Sequence, residues 1–345
     1  MENIKIDHLD EQAMANAQLH LDQLTKPVGS LGKIEELAIQ LAGVTRSAKP
    51  NLHKPAIIVF AADHGITAEE ISAFPQEVTI QMVVNMANGG AAINAFANNI
   101  GADFKVVDVG VNTDQPLDGA VDRKVMRGTK NYAKGNAMTL EEVEQALQVG
   151  YEETKMMIEA GADSICFGEV GIGNTTVSST LFAAISNLPV THITGYGTGI
   201  SDEQLLHKIE VIENALQLHA NEPLVGKSLL AHLGGLEIAA MAGGMIAAAQ
   251  HHTPILLDGL ISTVSACVAE QIVSGVKPYL FATHKSVEPG HVYALNYLQL
   301  TPLIDLEFRL GEGTGAAIAY PLFSAACHMM NVMATFADAG VSGKS

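Results

Sequence analysis

The chain is poor in basic residues and has no tryptophan. Its 345 residues include 19 Lys and Arg against 37 Asp and Glu, which gives a formal net charge of −18 at pH 7. Such an excess of acid repels nucleic-acid backbones and anionic membranes over the screening distance of the solvent. Neither nucleic acid nor a membrane is therefore expected as a partner. A small anionic substrate remains compatible with this charge if a few basic groups converge locally.

Cysteine is also scarce. Cys166, Cys267 and Cys327 lie far apart in apolar surroundings, a pattern typical of buried thiols in a reducing compartment rather than of disulfides or a zinc site. The N-terminal segment MENIKIDHLDEQ lacks the basic and apolar regions of a signal peptide. Both features predict a cytoplasmic location.

One long uncharged run occurs, from Gly313 to Ala337. It reaches the length of a membrane span, but it contains Pro321, His328 and Asn331 and has no flanking basic residues. This composition favours a buried pair of helices over a membrane segment.

Six short apolar runs, each followed by a polar or glycine-rich loop, are predicted to be β-strands. They are AIIVFAADHG, FKVVDVGV, SICFGEVGIG, VTHITGYGTG, PILLDGL and PYLFATH. Between most of them, apolar residues three and four positions apart predict helices, as in KIEVIENALQLHA. This alternation predicts an α/β fold with a doubly wound, mostly parallel, Rossmann-like sheet of about six strands.

The two ends of the chain are predicted to form a smaller helical lobe. Residues 1–50 and 306–345 carry helical patterns, whereas residues 51–305 carry the predicted strands and are expected to form the catalytic domain. Ligands of such sheets bind beyond the carboxyl ends of the strands. The residues expected along this rim are Asp63, His64, Asp108, Glu169, the glycines from Gly195 to Gly199, Asp258 and Thr283 to Glu288.

The loop GEVGIGNTT follows a predicted strand and leads into a predicted helix. Gly171 and Gly173 allow close backbone approach, and Asn174 and Thr175 add donors at a helix N-terminus, where phosphate groups bind readily. A capped helix after a tight turn is the alternative interpretation. The presence of Glu169 favours the interpretation as a ligand site. This carboxylate would repel a bound phosphate unless another part of the ligand needed it.

Two further loops point to the same rim. GYGTG, residues 195–199, has the wrong spacing for the dinucleotide motif GxGxxG, so NAD is not expected. By its pattern alone, Lys208 in the following helix is typical of a solvated lysine. ATHKSVEPGH, residues 282–291, supplies Ser286 to the rim or is an ordinary polar loop.

Two apparent motifs are rejected. Asp63, His64, Glu69 and Glu70 lack the spacing of zinc and calcium ligands, so no metal is expected. The C-terminal GVSGKS is not a P-loop, because the position that requires the first glycine holds Asp338.

Two segments suggest contacts to a flat ring and to a reacting group. SAFPQ, through Ser72, Phe74 and Gln76, has the apolar and hydrogen-bonding side chains of a ring pocket. RLGEGTGAA places Glu312 between two glycines, where side chains cover it little and the backbone can approach a ligand. A lone acid in this setting raises the question of a chemical role.

Together these segments resemble a known family. GEVGIGNTT, GYGTGI with Lys208, ATHKSVEPGH, DLEFRLGEGTGAA, KPVGSLGKIEELA, and AADHGI with SAFPQEVT are similar to nicotinate-nucleotide:dimethylbenzimidazole phosphoribosyltransferases, the CobT family of cobalamin biosynthesis. The resemblance runs in order from about Thr25 to Val341, and Val170 stands where the family often has methionine. It implies transfer of 5-phosphoribose from nicotinate mononucleotide to 5,6-dimethylbenzimidazole by a homodimer, with no metal or cofactor.

The resemblance also implies roles for individual residues. Glu312 would be the catalytic base, and Glu169 a second carboxylate near the ribose or the acceptor. Donor and phosphate contacts would come from Gly171, Gly173, Asn174, Thr175, Lys208, Ser286, Arg309 and Gly311, and acceptor contacts from Ser72, Phe74 and Gln76. Two alternatives remain open: the same transfer to adenine, another benzimidazole or a phenol, and a non-catalytic nucleotide-binding or sensor protein.

Overall fold

A parallel six-stranded sheet forms the centre of the structure, a computed structural model that describes Met1 and residues 4–342. Its strands are β1 (Pro55–Ala62), β2 (Asp103–Gly110), β3 (Val121–Asp122), β4 (Ser164–Val170), β5 (Ile255–Leu257) and β6 (Leu280–Ala282). Their order is β3-β2-β1-β4-β5-β6, and every neighbouring pair is parallel. The predicted α/β fold with a doubly wound, mostly parallel sheet is confirmed.

The two central strands, β1 and β4, are buried along their whole length. Unbroken apolar runs such as PAIIVFAA are what a parallel strand covered on both faces requires. From β1 the chain extends the sheet towards β3, and from β4 it extends the sheet towards β6. The direction therefore reverses between β1 and β4, and in such sheets a ligand crevice opens beyond the carboxyl ends of the strands at that point.

Helices connect the strands, and several begin at a side-chain cap. The helices are α1 (Glu11–Gln23), α2 (Lys33–Thr45), α3 (Glu77–Ala87), α4 (Ala92–Ile100), α5 (Leu140–Glu159), α6 (Asn174–Ser186), α7 (Val190–Ile193), α8 (Asp202–Leu218), α9 (Gly226–Leu233), α10 (Leu236–Gln250), α11 (Leu260–Ile272), α12 (Pro289–Leu298) and α13 (Thr314–Val332). Thr139 and Glu142 form a capping box at the start of α5, and Ser201 and Gln204 form another at the start of α8.

The N-terminal and C-terminal segments contact one another. Helices α1, α2 and α13 pack together, and the N–H of Thr25 donates to the carbonyl of Ala334 at 3.1 Å. The domain boundaries at residues 50 and 305 remain a prediction. The uncharged run forms one helix, α13, that continues through Pro321, so the predicted pair of helices is wrong. Part of GVSGKS, residues 343–345, lies outside the described residues.

One predicted strand is wrong, and three short strands were not predicted. VTHITG forms the short helix α7 and a loop. The buried residues of α7, Val190 and Ile193, are three positions apart, as in a helical turn, and Pro189 precedes them. The sheet nevertheless has six strands, because β3, which was not predicted, lies at its edge beside β2. A separate parallel pair, β7 (His284–Ser286) and β8 (Ile304–Phe308), leads to the RLGEG segment. No helix among the described residues is long and apolar enough to cross a membrane.

Candidate active site

Glu312 lies in a turn of three left-handed residues between β8 and α13. The φ angles of Gly311, Glu312 and Gly313 are 82°, 65° and 89°. Glycine adopts this conformation freely, but for glutamate it costs about 1–2 kcal/mol. An unfavourable conformation retained at a buried acid is a reason to look for a function at that side chain.

The turn is fixed by Asp258, which directly follows β5. Its carboxylate accepts hydrogen bonds from the N–H groups of Gly313 at 3.0 Å and Gly315 at 2.8 Å, and so it caps the N-terminus of α13. On its other side the turn contacts β4, where a Cβ placed on Gly168 would lie 2.2 Å from the carbonyl oxygen of Glu312. The glycine in β4 therefore lets Glu312 approach the carboxyl edge of the sheet.

The Glu312 side chain is only 7% exposed. Burial, and to a smaller extent the negative charge of Asp258, raise the pKa of Glu312 to about 7. An acid with a pKa near the working pH exists in both protonation states and is well suited to accept a proton during a reaction.

A second buried acid, Glu169, lies beside Glu312 at the end of β4. The backbone N–H of Glu312 donates to Oε1 of Glu169 at 3.3 Å, and the side-chain amide of Asn174 donates to Oε2. Burial, followed by the charge of Asp258, raises the pKa of Glu169 well above its usual range. Burial therefore favours the protonated form of Glu169 in the free protein.

The loop after β4 leads into α6, as predicted. Gly173 has a φ of 97° and precedes α6 without a side-chain cap. The N–H groups of Asn174 and Thr176 donate to the carbonyls of Gly171 and Gly173, whereas no hydrogen bond among the described residues uses the N–H of Thr175, which is therefore open to an anion. A Cβ on Gly171 would lie 2.1 Å from the carbonyl oxygen of Ala62, which places this loop at the crevice between β1 and β4. The N–H of Ile172 already donates to Thr79 Oγ1 at 3.1 Å.

Lys208 on α8 is 1% exposed, so the solvated lysine favoured by its pattern is wrong. Its ammonium group donates to Thr175 Oγ1 at 3.1 Å and to the carbonyl of Gly195 at 3.2 Å. Burial lowers the pKa of Lys208 to about 8, and the charge of Glu288 opposes this effect. Lys208 is therefore mostly charged at pH 7 and adds a cation near the start of α6.

The Gly195–Gly199 loop does not follow a strand, yet it reaches the same rim. Gly197 donates its N–H to Glu288 Oε1 at 3.0 Å and accepts a hydrogen bond of 3.4 Å from Arg309 Nη1. The hydroxyl groups of Thr198 and Ser72 are 3.5 Å apart. The loop thus joins residues predicted for the donor to one predicted for the acceptor.

Ser286, at the end of β7, is held by two backbone contacts. Its N–H donates to Nδ1 of His291 at 2.9 Å, and its hydroxyl oxygen accepts from the N–H of Glu288 at 3.3 Å. Burial, assisted by the charge of His284, lowers the pKa of His291 to about 3, so the ring is neutral and Nδ1 is free to accept. Ser286 is therefore fixed, although none of the contacts among the described residues joins it to Glu312.

Ser72, Phe74 and Gln76 line one open cavity of about 380 Å³. This volume lies within the range of about 300–1,000 Å³ that is usual for small-molecule sites. Thr67, also on its wall, packs against Gly173, so the cavity adjoins the N-terminus of α6. Its other lining residues are Gly65, Ala68, Pro75, Asn112, Arg127, Gly128 and Thr129.

A buried ion pair beneath the Gly171 loop was not predicted. His64 Nε2 and Glu237 Oε1 are 2.9 Å apart, without hydrogen-bond alignment, and neither side chain is exposed. Burial is the largest single effect and favours a neutral His64, but the contact with Glu237 and the charges of Glu237 and Asp63 together outweigh it and raise the pKa of His64. The available signal was a lone acid, Glu237, in the otherwise apolar helix LEIAAMAGGMIAAA. Glu69, which the rejected metal motif grouped with His64, instead pairs with Lys134.

Comparisons with known proteins show which family the chain belongs to. A family described as phosphoribosyltransferase matches residues 6–341. The nicotinate-nucleotide–dimethylbenzimidazole phosphoribosyltransferase of Chloroflexus aggregans is 48% identical over 340 residues, 98% of this chain and 96% of that protein. The enzyme of the same name from Geobacter sulfurreducens is 47% identical over 339 residues, again 98% of this chain and 96% of that protein.

The fold is also close to that of a solved structure. The crystal structure of CobT from Thermus thermophilus superposes with a TM-score of 0.93 at 44% sequence identity, over 96% of this chain and 100% of that one. The resemblance predicted from the sequence is confirmed. With almost the whole chain matched in sequence and in fold, the protein belongs to the nicotinate-nucleotide–dimethylbenzimidazole phosphoribosyltransferase family.

Proposed function

We propose that the protein transfers the 5-phosphoribosyl group of nicotinate mononucleotide to 5,6-dimethylbenzimidazole, giving α-ribazole 5′-phosphate and nicotinate. The observation that carries this proposal is Glu312, a buried carboxyl group with a pKa of about 7, which is linked through Glu169 to Asn174 at the start of α6. The reaction needs these two features: a base for the acceptor and a site for the donor phosphate.

The reaction needs a general base for the acceptor, whereas the leaving group needs no general acid. The nicotinate ring of the donor is a pyridinium, so it leaves as a neutral ring nitrogen without being protonated there. The acceptor is an imidazole, and its attacking nitrogen becomes cationic unless the other nitrogen loses its proton. Glu312 is the group proposed to accept that proton, and attack opposite the departing ring inverts the anomeric carbon from β to α.

The donor phosphate is proposed to bind at the start of α6. Gly171, Gly173, Asn174 and Thr175 supply the backbone and side-chain donors, and Lys208 supplies a buried positive charge. Anchoring the phosphate fixes the position of the anomeric carbon, and orientation of this kind can contribute several kcal/mol to lowering the barrier. Ser286, Arg309 and Gly311 complete the proposed donor site.

Glu169 is proposed to act near the ribose. Burial raises its pKa and so favours the protonated form, whereas a counter-charge for the ribose must be ionised. The pyridinium ring of a bound donor would favour the ionised form, because an opposite charge nearby lowers the pKa of a carboxyl group. Glu169 could then stabilise the positive charge that develops on the ribose as the ring departs.

The cavity lined by Ser72, Phe74 and Gln76 is proposed to hold the acceptor ring. It is open, and an apolar slot distinguishes related flat rings by only about 1–3 kcal/mol. Transfer to adenine, another benzimidazole or a phenol therefore remains the second candidate. A panel of these bases, with the products identified, would rank them.

The decisive experiment is to incubate the purified protein with nicotinate mononucleotide and dimethylbenzimidazole and to identify the products by mass spectrometry. Formation of nicotinate and α-ribazole 5′-phosphate is expected. Tight binding of the nucleotide without release of nicotinate would instead indicate a sensor protein. The homodimer and the cytoplasmic location implied earlier remain predictions.

The rate is expected to fall at acid pH as Glu312 becomes protonated. Because its pKa is about 7 in the free protein, kcat/KM should decrease about tenfold for each pH unit well below that value. A pH–rate profile with both substrates well below saturation measures this limb, because it reports the free protein.

The substrates also carry titratable groups. A variant is therefore needed to show that the fall in rate at acid pH comes from Glu312 and not from a substrate. The charge of Asp258 helps to raise the pKa of Glu312. Asp258→Asn should therefore move the acid limb to lower pH, whatever it does to the maximal rate. A limb that stays in place would mean that it belongs to a substrate and not to Glu312.

A further inference from the structure

We propose that Glu288 is a positioning residue of the donor site, which holds the Gly195–Gly199 loop in place and keeps Lys208 in its charged form where the donor phosphate binds. This inference rests on the proposed function. Glu288 directly precedes α12, and it is 8% exposed. The sequence placed Glu288 on the ligand-binding rim, at the end of the range Thr283 to Glu288, but gave it no role.

The contacts of Glu288 are made with the glycine loop. Its Oε1 accepts the N–H of Gly197 at 3.0 Å, and a Cβ on Gly195 would lie 2.2 Å from its Oε2. Removal of this side chain would therefore free the loop that also contacts Arg309 and Ser72.

The second oxygen of Glu288 has no evident structural use. Oε2 is buried and has no hydrogen-bond partner among the described residues. A buried, unsatisfied carboxylate oxygen is unfavourable by roughly 1–3 kcal/mol or more. A hydrogen bond to Gly197 alone does not require a charge, since an amide oxygen would serve equally well. A carboxylate is better explained by a nearby cation.

That cation is Lys208, on the other side of Gly197. A Cβ on Gly197 would lie 3.5 Å from Lys208 Nζ, while the N–H of the same residue contacts Glu288. Lys208 donates only to neutral oxygens, those of Thr175 and Gly195. Without a nearby negative charge, burial would favour the uncharged amine.

The other groups around Lys208 do not supply that charge. The segment of α6 that packs against α8 has no titratable side chain, and the short helix α7 contributes only the exposed His192. Beyond Glu288, the α12 side contributes the neutral, buried His291, and Arg309 approaches Gly197 from the end of β8. On α8 itself, His207 turns to the carbonyl of Glu69, and the acids Asp202, Glu203, Glu210 and Glu213 are all exposed. Of these groups only Glu288 is a buried acid, which agrees with its opposing the effect of burial on the pKa of Lys208.

The direction of the pH effect follows. Lysine is charged below its pKa, so donor affinity should fall as the pH rises through the value of about 8 for Lys208. Glu288→Gln removes the charge that raises this pKa and should move the fall to lower pH. For a shift of about one unit, the variant would bind the donor roughly fivefold more weakly near pH 8. Near pH 6 it should bind as well as the wild type or better, because a negative charge near the phosphate has been removed.

The test is calorimetric titration with nicotinate mononucleotide between about pH 6 and pH 9. Glu288→Gln keeps an acceptor for the N–H of Gly197 and removes only the charge. Glu203→Gln is the matched control, because this exposed acid lies in the first turn of α8. Lys208→Met should bind the donor weakly at every pH. Circular dichroism establishes that each variant is folded.

The outcomes distinguish a failure of the role proposed for Glu288 from a failure of the proposed function. The expected result is a fall in affinity that moves to lower pH in Glu288→Gln but not in Glu203→Gln. If the wild type binds the nucleotide and the pH profile of Glu288→Gln coincides with that of the wild type, the proposed role of Glu288 is overturned. The proposed function is then unaffected. If the wild type does not bind nicotinate mononucleotide at any pH, the proposed function fails, and this inference fails with it.

Discussion

Replacement of Glu312 by glutamine is expected to lower kcat for ribosyl transfer by a factor of about 10² to 10⁴. The amide occupies the same space as the carboxyl group but cannot accept the proton of the acceptor ring. The variant should fold, because burial already disfavours the charged carboxylate and raises the pKa of Glu312 to about 7. Donor binding should change little, since the proposed phosphate contacts lie at α6 and Lys208. Steady-state turnover and a separate donor titration measure the two effects.

Glu307→Gln is the matched control for this substitution. Glu307 belongs to β8, shortly before the same turn, and it also has a left-handed backbone, with a φ of 57°. Unlike Glu312, it is exposed. The control should turn over at the wild-type rate. If Glu312→Gln did so as well, Glu312 would not be the base, and another group would have to accept the proton.

The sequence predicted the parts of the fold in which local pattern and tertiary environment agree. β1 and β4 are fully buried and read as unbroken apolar runs, and α5 and α8 combine helical spacing with capping residues. VTHITG was misread because β-branched residues suggest a strand, although Val190 and Ile193 have the spacing of a helical turn. β3 spans two residues, too few to leave a pattern, and it is defined by its pairing with β2.

For the candidate site, the sequence was a good guide to which loops converge. It was a poorer guide to the burial and the contacts of each side chain. Parallel strands bring Glu169 and Asp258 to one edge, and both contact the turn that carries Glu312. The burial of Lys208 was not predictable, because it depends on α6 and on a glycine loop that are distant in the sequence. The partner of His64 was missed for the same reason.

Replacement of His64 by leucine is expected to lower the free energy of unfolding by about 3–5 kcal/mol at neutral pH, because it leaves Glu237 in the core without its cationic partner. Urea unfolding followed by circular dichroism measures the loss. The deficit should shrink at lower pH, where a buried carboxyl group without a partner takes up a proton and no longer carries a charge. A loss caused only by altered packing would not depend on pH in this way.

The double variant His64→Leu, Glu237→Met separates the charge from the space it occupies. With both charges removed, most of the lost stability should return, because well-packed apolar side chains often replace a buried ion pair at little cost. Lys285→Leu is the control, since it breaks an exposed pair with Asp305 and should cost no more than about 1 kcal/mol. A double variant as unstable as His64→Leu would contradict this account. The pair beneath the Gly171 loop would then stabilise the protein through its shape rather than through its charges.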